Sequence, residues 1–518
     1  MLAGVVLSCA LVSGGWLVKR GLVGATAPSG DTARMFSQVY QRISRDYVDT
    51  LSDSALYLRA AEGLVSELND PHSAFLSPAL LARLSERTSG RYAGVGAQID
   101  VRDGWITIVA PLPGGPALDA GIRTGDRMVK VDGKPIHELS VEEAQKLLRG
   151  PPGTTVGVTI ERPGLAAPLE FTLKRREIKV RSVQHAAMLS DSIGYVDLDV
   201  FSQESAADLK RAIDSLQALG MKSLIFDLRS DPGGLLDQGV AVADLFLNPG
   251  QPIVSMRGRT ADASRSFADR AAQVWPTLPI AILVDSLSAS ASEIVAGALQ
   301  DHDRALLLER TTYGKGSAQN VFPVPGGGAV KLTTALWYTP SGRSINRKIR
   351  ENPDGAPPDT TKPRPVFHTD DGRKVLGGGG ITPDVVLPEP GIVAADTALG
   401  HALGKQIPKF SDALTDYALA LKVSGTIKSP DFVVTPEMRA ELLRRMRARG
   451  VTVDSATYER AGAFVDRQLG YEIARYVFGT EAEFARRLKV DEAVLRASKL
   501  MRGVTSQRQL LERAGTLK

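Results

Sequence analysis

The 518-residue chain has one cysteine, Cys9, only six histidines, and 6% aromatic residues. A single thiol excludes an intramolecular disulfide, a cysteine-built metal site and a cysteine nucleophile further along the chain. Stability must therefore come from buried apolar surface, which a chain of this length can supply. Neither charge sign dominates: 63 Lys+Arg face 58 Asp+Glu, and the whole +5 excess falls within residues 431–518. That small local excess argues against a dedicated nucleic-acid binder, and no nucleic-acid partner is expected. Long apolar runs are also absent, with one exception at the start. Residues 1–18 carry no charge, and Lys19 and Arg20 follow at once.

That run is just long enough to span a bilayer, and Ala25-Thr26-Ala27 has the small-x-small pattern of a cleavage site, although Pro28 follows it. The positive charges come after the run, which by the positive-inside rule favours the reverse of a secretory orientation. Residues 1–27 read as a signal peptide or a membrane anchor. The expectation is export to the envelope or periplasm, with residues 1–18 as the anchor where they stay uncut.

With those classes set aside, the remaining sequence is 43% hydrophobic and 23% charged over the whole chain, as in a soluble multidomain protein. Over residues 28–88 apolar positions such as Phe36, Val39, Tyr40 and Ile43, then Leu56, Leu64, Val65 and Leu68, recur at helical spacing. Asn69-Asp70-Pro71-His72-Ser73 breaks that region with a turn, His72 serving in capping or packing. Residues 89–176 change texture to short β-branched runs around Ile99, Ile106-Thr107-Ile108, Met128-Val129 and Val156 to Ile160, with helical pieces near Ala117 and over Val141–Leu148. The order of these pieces resembles a PDZ domain, in which a peptide adds as a strand and a glycine turn holds its terminal carboxylate. Here the turn is Gly94-Val95-Gly96. The plainer reading is a glycine turn that only opens a strand.

From residue 177 strands and helices alternate: Gly194 to Val200, a helix over Glu204 to Leu219, the apolar strand Ser223 to Leu228, a helix after Gly234, and the strand Ile280 to Asp285. That pattern implies an α/β layer with a largely parallel sheet. Residues 348–380, rich in Pro, Asp, Lys and Gly, read as a surface excursion. Residues 393–518 read as helical.

The chemistry concentrates in the α/β region. Ser290 lies where the strand ending at Asp285 passes into a helix, so the free N–H groups of the helix start favour an oxyanion beside it. Ser290-Ala291-Ser292-Glu293 is equally a capping box, Ser at the N-cap and Glu at N3. A serine nucleophile needs a base. No histidine motif supplies one, and the nearest, His302, lies about three helical turns away. Lys315 sits between Gly314 and Gly316, where burial can lower an amine pKa from about 10.4 and give the neutral form a Ser-Lys dyad needs. A phosphate loop is excluded because Gly-x-x-x-x-Gly-Lys-[Ser/Thr] requires Gly at Glu309 and Ser/Thr at Gly316. Gln319, four residues on, can orient the amine or be an ordinary strand residue. Asp227 to Gly234 ends the strand Ser223 to Leu228 in paired glycines; one of their N–H groups with that of Ala291 makes a two-donor oxyanion hole, or a plain strand-end turn.

Taken together, Asn69 to Ser73, Asp227-Leu228-Arg229 with Pro232-Gly233-Gly234, Ser288 to Ile294, Gly297 to Asp301, Tyr313 to Gly316, Lys331 to Thr333, Tyr338 to Ile345 and Gly380 to Asp384 resemble the carboxyl-terminal processing, or tail-specific, proteases, in the order of that family. The resemblance implies a multidomain α/β protein: an N-terminal helical region, a β-rich PDZ domain at 89–176, a crotonase-like α/β protease core at 177–392 and a helical C-terminal extension at 393–518. It implies Ser290 as nucleophile, Lys315 as general base, Gln319 as its orienting partner, and Gly234 and Ala291 as oxyanion donors. It further implies PDZ recognition of the C-terminal tails of unfolded or precursor proteins, no metal or other cofactor, and room for a homo-oligomer or an activating adaptor. The sequence departs from the family at Asp231, usually Asn, and at Glu309, often Gly. Two other classes compete: a catalytically silent PDZ scaffold, and a crotonase-type thioester enzyme, which leaves Lys315 and the PDZ module unexplained.

Overall fold

Strands Ser223–Asp227 and Ile280–Val284 contain no charged residue before their ends and are buried along their whole length. Such strands fit only a sheet covered on both faces. In the computed structural model, which describes residues 30–347, 363–388 and 393–516, they form the centre of a six-stranded sheet. Its order is Ala186–Met188, Ile193–Asp197, Ser223–Asp227, Ile280–Val284, Leu306–Glu309 and Val385–Val386, all parallel except the first pair. Alternate residues face opposite ways, as the two-residue period of a strand demands. Leu224, Phe226, Ile282 and Val284 pack with helices Ser205–Ala218, Leu236–Asp244 and Ala291–Asp301. Ile225, Ala281, Leu283 and Leu308 pack against Leu488, Val494, Ala497, Leu500 and Leu510 of the C-terminal helices. The chain's own end thus covers the second face.

The described chain divides into two compact units, one running up to Leu76 with Val321–Leu332, the other made of Ser77–Asn320 and Thr333–Lys518. In the first, helices Gly30–Asp46 and Asp53–Ser66 follow the helical spacing read in the sequence. The turn at Asn69 to Ser73 is tied by the Asp70 carboxylate, which accepts from His72 N–H and Ser73 Oγ at 3.1 and 2.6 Å. A short strand not anticipated there, Ala74–Leu76, pairs with Ala329 to Lys331. The expected export segment, residues 1–27, lies outside the described residues, and no described helix is long and apolar enough to cross a membrane.

In the larger unit the PDZ-like module is a sheet in the order Ala97–Arg102, Trp105–Pro111, Arg127–Val131, Thr155–Glu161, Leu169–Lys174, closed by the helices Pro116–Asp119 and Val141–Leu148. Ser140 and Glu143 cap the second helix reciprocally. Its core is aliphatic, with Ile106, Ile108, Val158 and Ile160 buried. The C-terminal extension is helical as expected and has its own core around Leu442, Tyr458 and Leu469. It also seats the PDZ-like module: Arg102 Nε donates to Thr415 Oγ1 at 3.1 Å, Arg449 to Asp103 at 2.7 Å and Lys422 Nζ to the Thr124 carbonyl at 2.8 Å.

One sequence expectation fails. The described part of residues 348–380 is not a mere surface excursion: Val366–His368 and Lys374–Leu376 form a hairpin. From it Arg373 enters the core to pair with Asp303 and Asp384. A buried, doubly paired arginine gives a polar segment a place in the interior that composition does not reveal.

Candidate active site

Ser290 ends the loop after strand Ile280–Val284 and is the N-cap of helix Ala291–Asp301. Its backbone has φ 59° and ψ −113°, a conformation that L-residues rarely adopt. Such strain costs about 1–3 kcal/mol and persists only where surrounding structure enforces it. The enforcing contacts come from the loop after Asp227. Asp231 O accepts from Ala289 N–H and from Ser292 Oγ, each at 2.9 Å, and Leu228 O accepts from Ser288 Oγ at 2.8 Å. Gly233, at φ +85°, passes so close that a Cβ there would lie 2.5 Å from Ala289 O and 2.7 Å from Ala291 N. Glycine at 233 is therefore required for close approach to the serine turn.

Gly234 has a similar constraint, since its Cβ would lie 2.1 Å from Phe201 O. Phe201 bonds the backbone on either side, to Gly233 O and from Leu235 N–H. The N–H groups of Gly234 and Ala291 themselves donate to no acceptor among the described residues. Both candidate oxyanion donors are thus left without an internal acceptor.

Glu293 is the residue whose part the sequence shows only by half. Its carboxylate is fully buried and accepts the Ser290 N–H at 2.8 Å, the reciprocal arm of the capping box. The same oxygen accepts the Lys315 N–H at 2.9 Å, while the other accepts Gly314 N–H at 2.7 Å and Thr312 Oγ1 at 2.5 Å. One carboxylate thereby joins the Ser290 turn to the Lys315 loop. Burial holds its pKa above the ordinary range against the pull of these four donors.

The loop bearing Lys315 is fixed from outside as well. Thr312 exchanges bonds with Ile381, and the Lys315 and Gly316 carbonyls accept the indole and backbone N–H of Trp337 at 3.1 and 2.9 Å. Gly316 leaves no room for a Cβ beside Asn346, and at Gly314, with φ +89°, a Cβ would crowd Gly380 N and Ile345 O. These contacts give the Gly380 to Asp384 and Tyr338 to Ile345 segments a role beyond their own turns. Ser290, Lys315 and Gln319 are all half-buried. Gln319 lies two residues into strand Ser317–Pro323, its amide nitrogen donating to Ser317 Oγ and Thr333 Oγ1 at 2.9 and 3.2 Å.

Gly94, Val95 and Gly96 lie apart from this cluster in the PDZ-like module, buried at a recess of about 40 Å³ shared with Tyr92, Ile99, Leu148 and Arg149. Neither Val95 nor Gly96 N–H meets an acceptor among the described residues. Arg149, which the sequence reading passed over, stacks over Tyr92 and pairs with Glu86. The sequence offered no signal for it beyond a basic residue after a helix.

The family model described as Peptidase family S41 matches residues 192–361, and a PDZ domain model matches residues 107–162. A carboxy-terminal-processing protease of Bartonella bacilliformis is 36% identical over 384 residues, covering 72% of this chain and 80% of the relative. The carboxy-terminal processing protease CtpA of Bacillus subtilis is 35% identical over 324 residues, covering 62% and 69%. Among solved structures, a photosystem II D1 C-terminal processing protease is 27% identical, covers 68% of this chain and 92% of that chain, and superposes with a TM-score of 0.37. With the motifs in order, both domains matched and a relative aligned over four fifths of its length, the chain belongs to the carboxy-terminal-processing proteases, serine-type peptidases of family S41 with a PDZ domain.

Proposed function

We propose that the protein cleaves exported, partly unfolded proteins that present a free C-terminal tail. The tail carboxylate docks on the Val95 and Gly96 N–H groups, and the tail adds as a strand beside Ala97–Arg102. Lys315, as the neutral amine, takes the Ser290 hydroxyl proton while Oγ attacks the scissile carbonyl. The tetrahedral oxyanion is met by Gly234 and Ala291 N–H. The lysine returns the proton to the leaving amine, and an acyl-enzyme ester remains. Water, deprotonated by the same lysine, then releases the new C-terminus and frees Ser290. Gln319 holds the lysine amine through its side-chain amide.

The observation that carries this reading is the shared Glu293 oxygen, which puts the backbones of Ser290 and Lys315 on one atom. Export is supported by the uncharged residues 1–18. The test is degradation of an unfolded reporter ending in an apolar tail, with a free or an amidated terminus. Wild type is expected to cleave the free-tailed reporter and to cleave the amidated one several-fold more slowly. Ser290→Ala and Lys315→Ala are each expected to lose at least about 10³-fold in kcat. Unchanged cleavage by either variant removes the dyad from the account. Equal cleavage of both reporters removes the carboxylate reader.

A further inference from the structure

Asp231 is a buried ionisable group at the heart of the site that the acyl-transfer steps leave unused. It is fully buried. Oδ1 accepts the Gly233 N–H at 2.8 Å, while Oδ2 has no partner among the described residues. Its own carbonyl accepts Ala289 N–H and Ser292 Oγ. The residue therefore grips both halves of the site, the glycine turn through its side chain and the serine turn through its backbone. A carboxylate this deep, held by the Gly233 N–H and helped only by the nearby Ser292 hydroxyl, is poorly solvated, whereas the neutral acid leaves a single hydroxyl to accommodate.

Burial holds the carboxyl well above the usual range. The charged groups acting on it are the Asp199 carboxyl, which adds repulsion, and the Arg87 guanidinium, which opposes it from the exposed helix Pro78–Ser89. Asp199, although exposed as a residue, is itself pushed up to about 6 by desolvation of its carboxyl and by neighbouring Asp197. As Asp199 ionises, its charge further disfavours ionisation of Asp231.

We propose that Asp231 is a positioning residue of this peptidase that works only as the neutral acid, and that its ionisation closes the alkaline side of the activity profile. The inference rests on the acyl-transfer reading above. Once Oδ2 loses its proton, a negative charge stands beside the Gly233-Gly234 turn, where the oxyanion also develops. It repels that charge and draws water or a turn movement to solvate itself. Asparagine offers the same acceptor at the same place and never ionises.

The test compares kcat/KM of wild type and Asp231→Asn on a peptide reporter from pH 6 to 10. Wild type is expected to rise with deprotonation of the base and then fall. Asp231→Asn should keep the rising limb, with its falling limb lost or moved up by at least about one pH unit. The same falling limb in both proteins overturns the proposal. A second arm needs no activity: both residues at position 231 are placed in the Ser290→Ala background and melted from pH 4 to 9. A carboxyl with a raised folded pKa binds its proton more tightly when folded, so stability is lost as pH rises from about 4 through the folded value. The advantage of Asp231→Asn in Tm should widen over that range. A difference that does not change with pH overturns the proposal whatever the activity. An inert wild-type chain counts against the acyl-transfer reading instead, and the melting arm still decides whether Asp231 carries its proton.

Discussion

At Glu293 a buried carboxylate takes donors from Ser290, Thr312, Gly314 and Lys315, so replacing it disturbs two loops at once. Glu293→Gln keeps the shape but turns an NH₂ group toward at least one N–H donor. Hydrogen bonds to charged groups contribute about 1.5–3 kcal/mol each, and an orphaned buried donor adds to the loss. The expected outcome is about 3 kcal/mol off the unfolding free energy in urea, with kcat down about 10²-fold in the fraction that stays folded. Full activity would mean that the two loops hold their places without the carboxylate. The capping box made the Ser290–Glu293 pair legible in sequence, because it spans three residues. The reach to Lys315 was not legible, because it joins segments 22 residues apart in the chain. Glu309 teaches a similar lesson. Its φ of +97° suits the glycine that the family resemblance expects there, while its carboxylate is used to pair with Arg229 at 3.3 Å and with Arg310.

Among the elements, the parallel strands were readable because both of their faces are apolar, and the helices between them because their spacing is regular. Strand Ala329–Tyr338 was not, since its exposure alternates poorly and Thr and Lys interrupt it. The C-terminal helices were recognised as helices without a purpose, and their purpose appears only in packing. Thr480–Leu488, Glu492–Met501 and Gln507–Arg513 cover the sheet face made by Ile225, Ala281, Leu283 and Leu308. Asp491, the N-cap of the middle helix, pairs with Arg229 of the Asp227-Leu228-Arg229 segment at 2.9 Å. Each large apolar side chain uncovered there forfeits about 1.5–3 kcal/mol. A chain ending before Thr480 is therefore expected to be insoluble or to bind a hydrophobic dye, as measured by sedimentation and dye fluorescence. A soluble, cooperatively melting truncation would show that the sheet does not need this cover.

On the scale of the whole larger unit, three modules read separately in the sequence meet through few but specific contacts. The helical extension touches both others, covering the sheet of the core and holding the PDZ domain at Arg102, Asp103 and Thr124. Gly125 has φ +90°, a backbone conformation that favours glycine, and it packs on the tip of Leu419 at that point of the seat. The PDZ domain is thus held on the side of Asp103 and Gly125, and no residue of the extension lines the Gly94 to Gly96 recess. The central claim is chemical, however: tail recognition delivers a polypeptide to Ser290, which becomes its ester. The most direct measurement is acid quenching of the enzyme during turnover of a free-tailed peptide ester, followed by intact-mass and peptide-level mass spectrometry. The account predicts a mass increase equal to the acyl portion of the substrate, located on Ser290 and absent from Ser290→Ala. Cleavage that proceeds in Ser290→Ala, or an acyl group found on another residue, would contradict it.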